Sequence, residues 1–203
     1  MTKATIYATR RAAVERGYAK LLARHNEPVL PGNGIFTRYK YPILTAEHAP
    51  LTWRYDFNPA TNPFFMERLG INVAFNAGAI KLDGEYILIV RTEGWDRKSF
   101  FALARSKDGI QNWTFDPEPI LTPETSNPDT NLYDTRLTAH EDGWIYGIFC
   151  SERKDPMLPR AIPPAPWPPP ASCAPRTSRT GSACRIWLPR VPNSAMWCCI
   201  QNS

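Results

Sequence analysis

Arginines and carboxylates recur at the ends of short β-prone runs in this chain: NPFFMERLG (62–70), FNAGA (75–79), VRTEGWDRKS (90–99), PDTNLYDTRLTAHEDG (128–143) and CSERKD (150–155). Arg68, Arg91, Arg97, Arg136 and Arg153 are planar, permanently charged forks suited to sugar hydroxyls or phosphate oxygens. Asp134 stands in a local segment with no second acid beside it. Two plainer readings stay open. An Arg next to an Asp or Glu at a strand end commonly forms a surface or inter-unit ion pair of small energetic consequence. Asp134, following Tyr133, could bond its own backbone as a turn residue. Asp83, Asp108 and Asp142, each followed by Gly, read as turn residues.

The elements that position these residues differ along the chain. Residues 5–25 are rich in good helix formers, with Ala13, Tyr18, Leu21 and Leu22 able to share a face, and predict an amphipathic helix within an N-terminal segment, 1–29. From Gly34 onward the texture becomes short β-rich runs, beginning with GIFTRYKYPIL and TWRYDF, with no convincing helix after residue 30. GAIKLDGEYILIVRTEG predicts a hairpin turning at Asp83-Gly84, and RLTAHEDGWIYGIFCSE another at Asp142-Gly143. Between them SFFALARSKDGIQNWTFD predicts a strand, a turn at Asp108-Gly109 and a strand opening at Trp113. Repeated antiparallel units punctuated by Asp-Gly and aromatics argue for an all-β, bladed architecture over 30–155, about two blades of a larger ring.

Composition divides the chain at Asp155. Residues 156–203 hold 11 of the 21 prolines, four of the five cysteines, and no Asp, Glu or Lys. Their five arginines account for the net charge of +5, since the remaining 19 basic residues balance 19 acidic ones. Cations scattered among prolines do not make the clustered patch that nucleic acid selects. No run approaches the roughly 20 apolar residues of a membrane span, and no apolar leader follows the first residues, so a cytoplasmic protein is expected. The cysteines and His25, His48 and His140 lack metal-ligand spacing, so neither a metal site nor a disulfide framework is expected.

The runs NAGAIKLDGEYILIVRTEGWDRKSFFALARS and NLYDTRLTAHEDGWIYGIFCSERKD resemble the family 130 glycoside phosphorylases, in the branch acting on β-mannosyl-glucose, over about residues 26–155. The resemblance implies a five-bladed β-propeller, present here as an incomplete ring, in an enzyme that forms homo-oligomers. It implies cleavage of the disaccharide by inorganic phosphate to mannose 1-phosphate and glucose, with inversion and no organic or metal cofactor. Asp134, in YDTR, matches the family's catalytic acid, whose proton would reach the glycosidic oxygen through the mannosyl 3-hydroxyl. Arg68 and Arg97 match residues holding the mannosyl unit, Asn76 and Asp96 are further substrate-binding candidates, and Arg153 in SERKD matches a phosphate ligand. A single carboxylate suffices for such chemistry. An inverting hydrolase needs a second one to activate water, whereas phosphate arrives anionic and needs cations to hold it in line.

Beyond Asp155 the family's later motifs, among them one like QQRNVVLHPEF, are absent in the frame as written. Read from the last base of each codon, Met196-Trp197 and Trp197-Cys198 both give valine, Cys198-Cys199 leucine, and Cys199-Ile200 histidine or tyrosine, with no choice of codon. Permitted codons extend this to DLKNWKRL upstream, which repeats KDGIQNW of the in-frame 104–115 segment. The expectation is a one-base shift near Pro156 to Pro159, leaving 156–203 as an out-of-frame, disordered, Pro-rich tail on an inactive chain. Two other functions are compatible with the sequence. One is a related β-mannoside phosphorylase or hydrolase; the other is a non-catalytic carbohydrate-binding protein whose tail docks as a polyproline II ligand.

Overall fold

The computed structural model describes residues 1–30, 32–120, 131–141, 144–153, 178–187 and 197–200, with only the backbone from Arg153 onward. Helix α1, Lys3–Leu22, starts at Thr2, whose hydroxyl accepts the Thr5 N–H at 3.2 Å. None of its side chains is fully buried. Its half-buried stripe runs through Tyr7, Arg11, Val14, Tyr18 and Leu21, so Val14 takes the place expected for Ala13, which is exposed. The helix docks through its polar tips, Tyr7 Oη to the Phe57 carbonyl (2.5 Å) and Tyr18 Oη to the His48 carbonyl (3.0 Å).

The two runs after Gly34 are not strands. In GIFTRYKYPIL the Asn33 side chain turns the backbone by accepting the Ile35 and Phe36 N–H groups, both at 3.0 Å, and only an isolated bridge, Pro28 to Tyr39, forms. TWRYDF contributes instead to a one-turn helix, α2, Leu51–Arg54, after a 3-10 turn at Ala46–His48. Pro50 starts α2 with a preset φ of −50°. The turn presents Trp53 edge-on to Phe100 (5.9 Å) and lets its indole N–H reach the Pro117 carbonyl (2.6 Å).

The strands are β1 Ile71–Leu82, β2 Glu85–Gly94, β3 Ser99–Ser106, β4 Thr114–Phe115, β5 Asn131–Ala139, β6 Ile145–Arg153, β7 Ser178–Trp187 and β8 Trp197–Ile200. They form one open sheet in the order β1-β2-β3-β5-β6-β7-β8, with β4 paired to β3. Within each half, β1–β4 and β5–β8, neighbours are antiparallel; the halves join at a single parallel pair, Ser99 with Asn131. The mostly-β expectation holds, together with the N-terminal helix. Asp83 (φ 50°) and Gly84 (φ 81°) turn the β1–β2 hairpin. At the next turn Gly109 has φ 74°, and Asp108 Oδ1 accepts the Ile110 and Gln111 N–H groups. Asp142-Gly143 lies outside the described residues, although Ala139 and Ile145 pair on either side of it.

Strand β2 is covered on both faces, which is why Ile87–Val90 is continuously apolar. On one face Ile87, Ile89, Phe101 and Leu103 pack against Leu132, Ile145 and Phe149, binding the two halves together. On the other, Leu88, Val90, Ala102 and Ala104 meet Trp113, Phe115 and Leu44. The tail departs from the expected disorder at β7 and β8. The 178–187 run is free of proline, although prolines flank it at 175 and 189, and β6 offers an open edge with which it pairs from Ile145–Ile186 to Arg153–Ser178. The proline-rich stretch 161–176 lies outside the described residues.

Candidate active site

Two irregularities bring β1 and β5 together. The register of β1 against β2 slips between Phe75 and Gly78, and that of β5 against β6 slips between Tyr133 and Arg136. Each slip contains a residue in the left-handed region, Asn76 at φ 47° and Asp134 at φ 59°. Asn and Asp tolerate this conformation better than other residues bearing a Cβ. Both follow an aromatic, in AFNAG and LYDTR, so the two strands carry the same local device. Across the gap Asn76 Nδ2 donates to Asp134 Oδ1 at 3.3 Å, and both side chains are exposed. The approach requires Gly78, because a Cβ there would lie 2.7 Å from the Thr135 carbonyl oxygen.

Beside this pair, Arg91 lies between two rings, its guanidinium carbon 4.6 Å from the Phe75 centroid and 5.0 Å from that of Tyr133. Residues Ile87, Ile89, Arg91 and Glu93 alternate along one face of β2, so the core-forming period carries the two charges to the strand end. Glu93, with a side chain 9% exposed, receives Asn72 Nδ2 at 2.8 Å and Arg91 Nη2 at 3.3 Å. It also pairs with Arg97 Nε at 3.2 Å. Arg97 has φ 65° in the β2–β3 turn and a side chain 81% exposed. The arrangement therefore presents one exposed carboxylate, paired with the exposed Asn76, and one exposed guanidinium, paired with the more buried Glu93.

The other candidates stand differently. Arg68 closes a knit loop: it donates to the Thr61 carbonyl, and Asp56 accepts from the Thr61 hydroxyl and the Asn58 N–H. Those bonds hold the Asp56 carboxyl below the usual carboxylate range, with the Arg68 charge contributing. Buried Asn62 ties the loop by donating to the Asp56 and Met66 carbonyls, both at 2.9 Å. This loop reaches the Arg97 turn through Trp95 N–H to the Gly70 carbonyl, 3.1 Å. Asp96 acts locally, its Oδ1 accepting the Lys98 N–H at 3.1 Å. Arg136 donates to the carbonyl of the adjacent Thr135 at 2.8 Å. For Arg153 the structure gives only its place in β6, opposite Ser178. Glu93 was absent from the sequence-derived candidates; the signal was R-x-E at strand period, which sets it on Arg91's face. Among the described residues no group of three His, Cys, Asp or Glu side chains could hold a metal, and no helix is long and apolar enough to cross a membrane.

No protein-family model matches the chain. A curated 4-O-β-D-mannosyl-D-glucose phosphorylase of Bacteroides fragilis is 62% identical over 143 residues, which is 70% of this chain and 37% of that protein. A solved structure from Bacteroides ovatus, provisionally assigned as a glycoside hydrolase, aligns with TM-score 0.44 and 15% identity over 80% of this chain and 38% of that one. The resemblance carried by the YDTR and EGWDRKS motifs is thus borne out: the chain is similar to a mannosyl-glucose phosphorylase and spans about 37% of that protein's length.

Proposed function

We propose that the chain carries the proton-donating half of a phosphorylase site that cleaves β-1,4-mannosyl-glucose with inorganic phosphate. The observation that supports this reading most strongly is the 62% identity to a mannosyl-glucose phosphorylase. The geometry around Asp134 suits the chemistry. Asn76 Nδ2–H occupies Oδ1 and leaves Oδ2 of the exposed carboxyl to carry the proton. In the acid form Asp134 gives that proton, by way of the mannosyl 3-hydroxyl, to the glycosidic oxygen. The bond from C1 to that oxygen breaks with its electron pair going to glucose, while a phosphate oxygen bonds C1 from the opposite face. The proton of hydrogenphosphate replaces the one Asp134 has lost, so charge and atoms balance and no second carboxylate is required. Arg97 and Arg68 would orient the mannosyl unit, with Asn76 and Asp96 as further contacts, and Arg153 would hold phosphate.

The complete site belongs to a closed five-bladed ring in this reading, with β1–β4 as one blade and β5 and β6 opening the next. The matched aromatic-Asn/Asp bulges in β1 and β5 favour such a repeat. The forced codons at 196–200 favour an out-of-frame segment after Asp155, which deprives the chain of phosphate contacts. The ring would act in the cytoplasm as a homo-oligomer, on small molecules alone. Phosphate-dependent release of glucose from mannosyl-glucose tests the function in a chain whose downstream frame has been restored. Turnover that requires phosphate supports it; equal turnover in water identifies a hydrolase and contradicts it.

A further inference from the structure

Glu93 is more enclosed than any other carboxylate with described ion pairs, and two hydrogen-bond donors and a second cation meet at it from three places. Asn72 comes from β1, Arg91 from β2 itself, and Arg97 from the β2–β3 turn. A carboxylate this enclosed is costly unless it is paired, and here each oxygen accepts a hydrogen bond and two guanidinium charges lie beside it. Oε1 accepts from Asn72 (2.8 Å) and lies 3.2 Å from Arg97 Nε in an ion pair, while Oε2 accepts from Arg91 (3.3 Å). Arg97 has a side chain 81% exposed and a strained turn conformation. Left alone, such a side chain would sample many rotamers. Its shortest approach to Glu93 is through Nε, at 3.2 Å, which leaves the two terminal nitrogens of the guanidinium as a fork for another acceptor.

We infer that Glu93 is a positioning residue. It holds Arg97 by Nε so that the terminal fork faces the substrate, and its charge offsets one of the two adjacent arginines. The role concerns the same site and rests on the functional reading above, but the geometry of the hub can be read without catalysis. A Gln at 93 keeps one acceptor oxygen and turns an NH2 group toward a donor already present, so the hub cannot be satisfied.

The first arm is 15N NMR of arginine Nε–H groups in the full 203-residue chain, with Arg97 assigned by its loss in R97K. In the wild-type chain the Arg97 Nε–H signal should be resolved from those of the exposed arginines, because an ion-paired side chain samples fewer rotamers. In E93Q it should join them. An Arg97 signal already averaged with exposed arginines in the wild type overturns the inference, and needs no variant to fold. So does a resolved signal that survives unchanged in folded E93Q. The second arm uses the frame-restored enzyme. E93Q and R97Q should each lower kcat/KM by about 10–100-fold, and the double variant should be no worse than the weaker single one. Additive losses assign Glu93 a role independent of Arg97 and overturn the inference. Absence of phosphorolysis in the restored wild-type enzyme would sink the functional reading, while the NMR arm still decides the hub.

Discussion

Asp134 owes its availability to a backbone state that few side chains adopt without cost. At φ 59° within a bulge it lies outside the regular alternation of β5, exposed, with Asn76 as its partner. Replacing it by Asn keeps the shape and the tolerance for this φ but removes the transferable proton, so D134N in the frame-restored enzyme should lose roughly 10²–10⁴-fold in kcat with little change in melting temperature. Steady-state kinetics and a thermal scan check this. Asn76→Ala removes one ordinary hydrogen bond, about 1 kcal/mol, and should cost roughly five- to tenfold in rate. The candidate acid was legible because YDTR carries it within a recognisable run. The pairing with Asn76 was not, since residues 76 and 134 meet only through two bulges, which alternating sequence patterns do not announce. Glu93 was hidden for a related reason: its neighbours in sequence look like a solvated turn, and its burial follows from the β2 period and the approach of Asn72.

Among the elements, β1 and β5 depend on a contact that only glycine permits. Gly78→Ala would place a methyl 2.7 Å from the Thr135 carbonyl oxygen, a backbone atom that cannot swing away, and should destabilise the chain by about 1–3 kcal/mol. Urea unfolding measures this, and a change below about 0.5 kcal/mol would show that the strands can part at no cost. The 3-10 turn supplies a pH dependence. Burial first, and the charge of Arg24 second, hold the His48 imidazole below the usual histidine range, and its Nδ1 lies 3.0 Å from the Thr45 N–H it accepts. The unfolded ring takes a proton near pH 6.5, the folded ring only at lower pH, so the unfolded state binds more protons as the pH falls. Stability should therefore be full above about pH 7 and decline as the pH drops through roughly 6.5, and His48→Gln should remove that part of the decline. Unfolding midpoints at a series of pH values check it. Hairpins were readable because Asp-Gly fixes both the turn and the register. TWRYDF was misread because its aromatics suit strand and helix alike; Pro50 and the Trp53 contacts decide between them.

For the whole molecule, the described strands form one open sheet. The halves β1–β4 and β5–β8 share a core and matching bulges yet join through one parallel pair, and Ile148 on β6 is 63% exposed. Exposed apolar residues and an open strand edge favour association, so light scattering should rise with concentration for the chain as written and less for the frame-restored one. Composition changes at Asp155, but the strands of 178–187 and 197–200 were not legible, because the edge of β6 that pairs with the first, and the edge of the first that pairs with the second, are tertiary features. The most direct test compares two purified proteins, the chain as written and the chain with one base corrected near Pro156, for phosphate-dependent release of glucose and mannose 1-phosphate from mannosyl-glucose. The predicted result is turnover that requires phosphate in the corrected chain, abolished by D134N, and little or none in the chain as written. Robust turnover by the chain as written, or none by the corrected chain when folded, would contradict it.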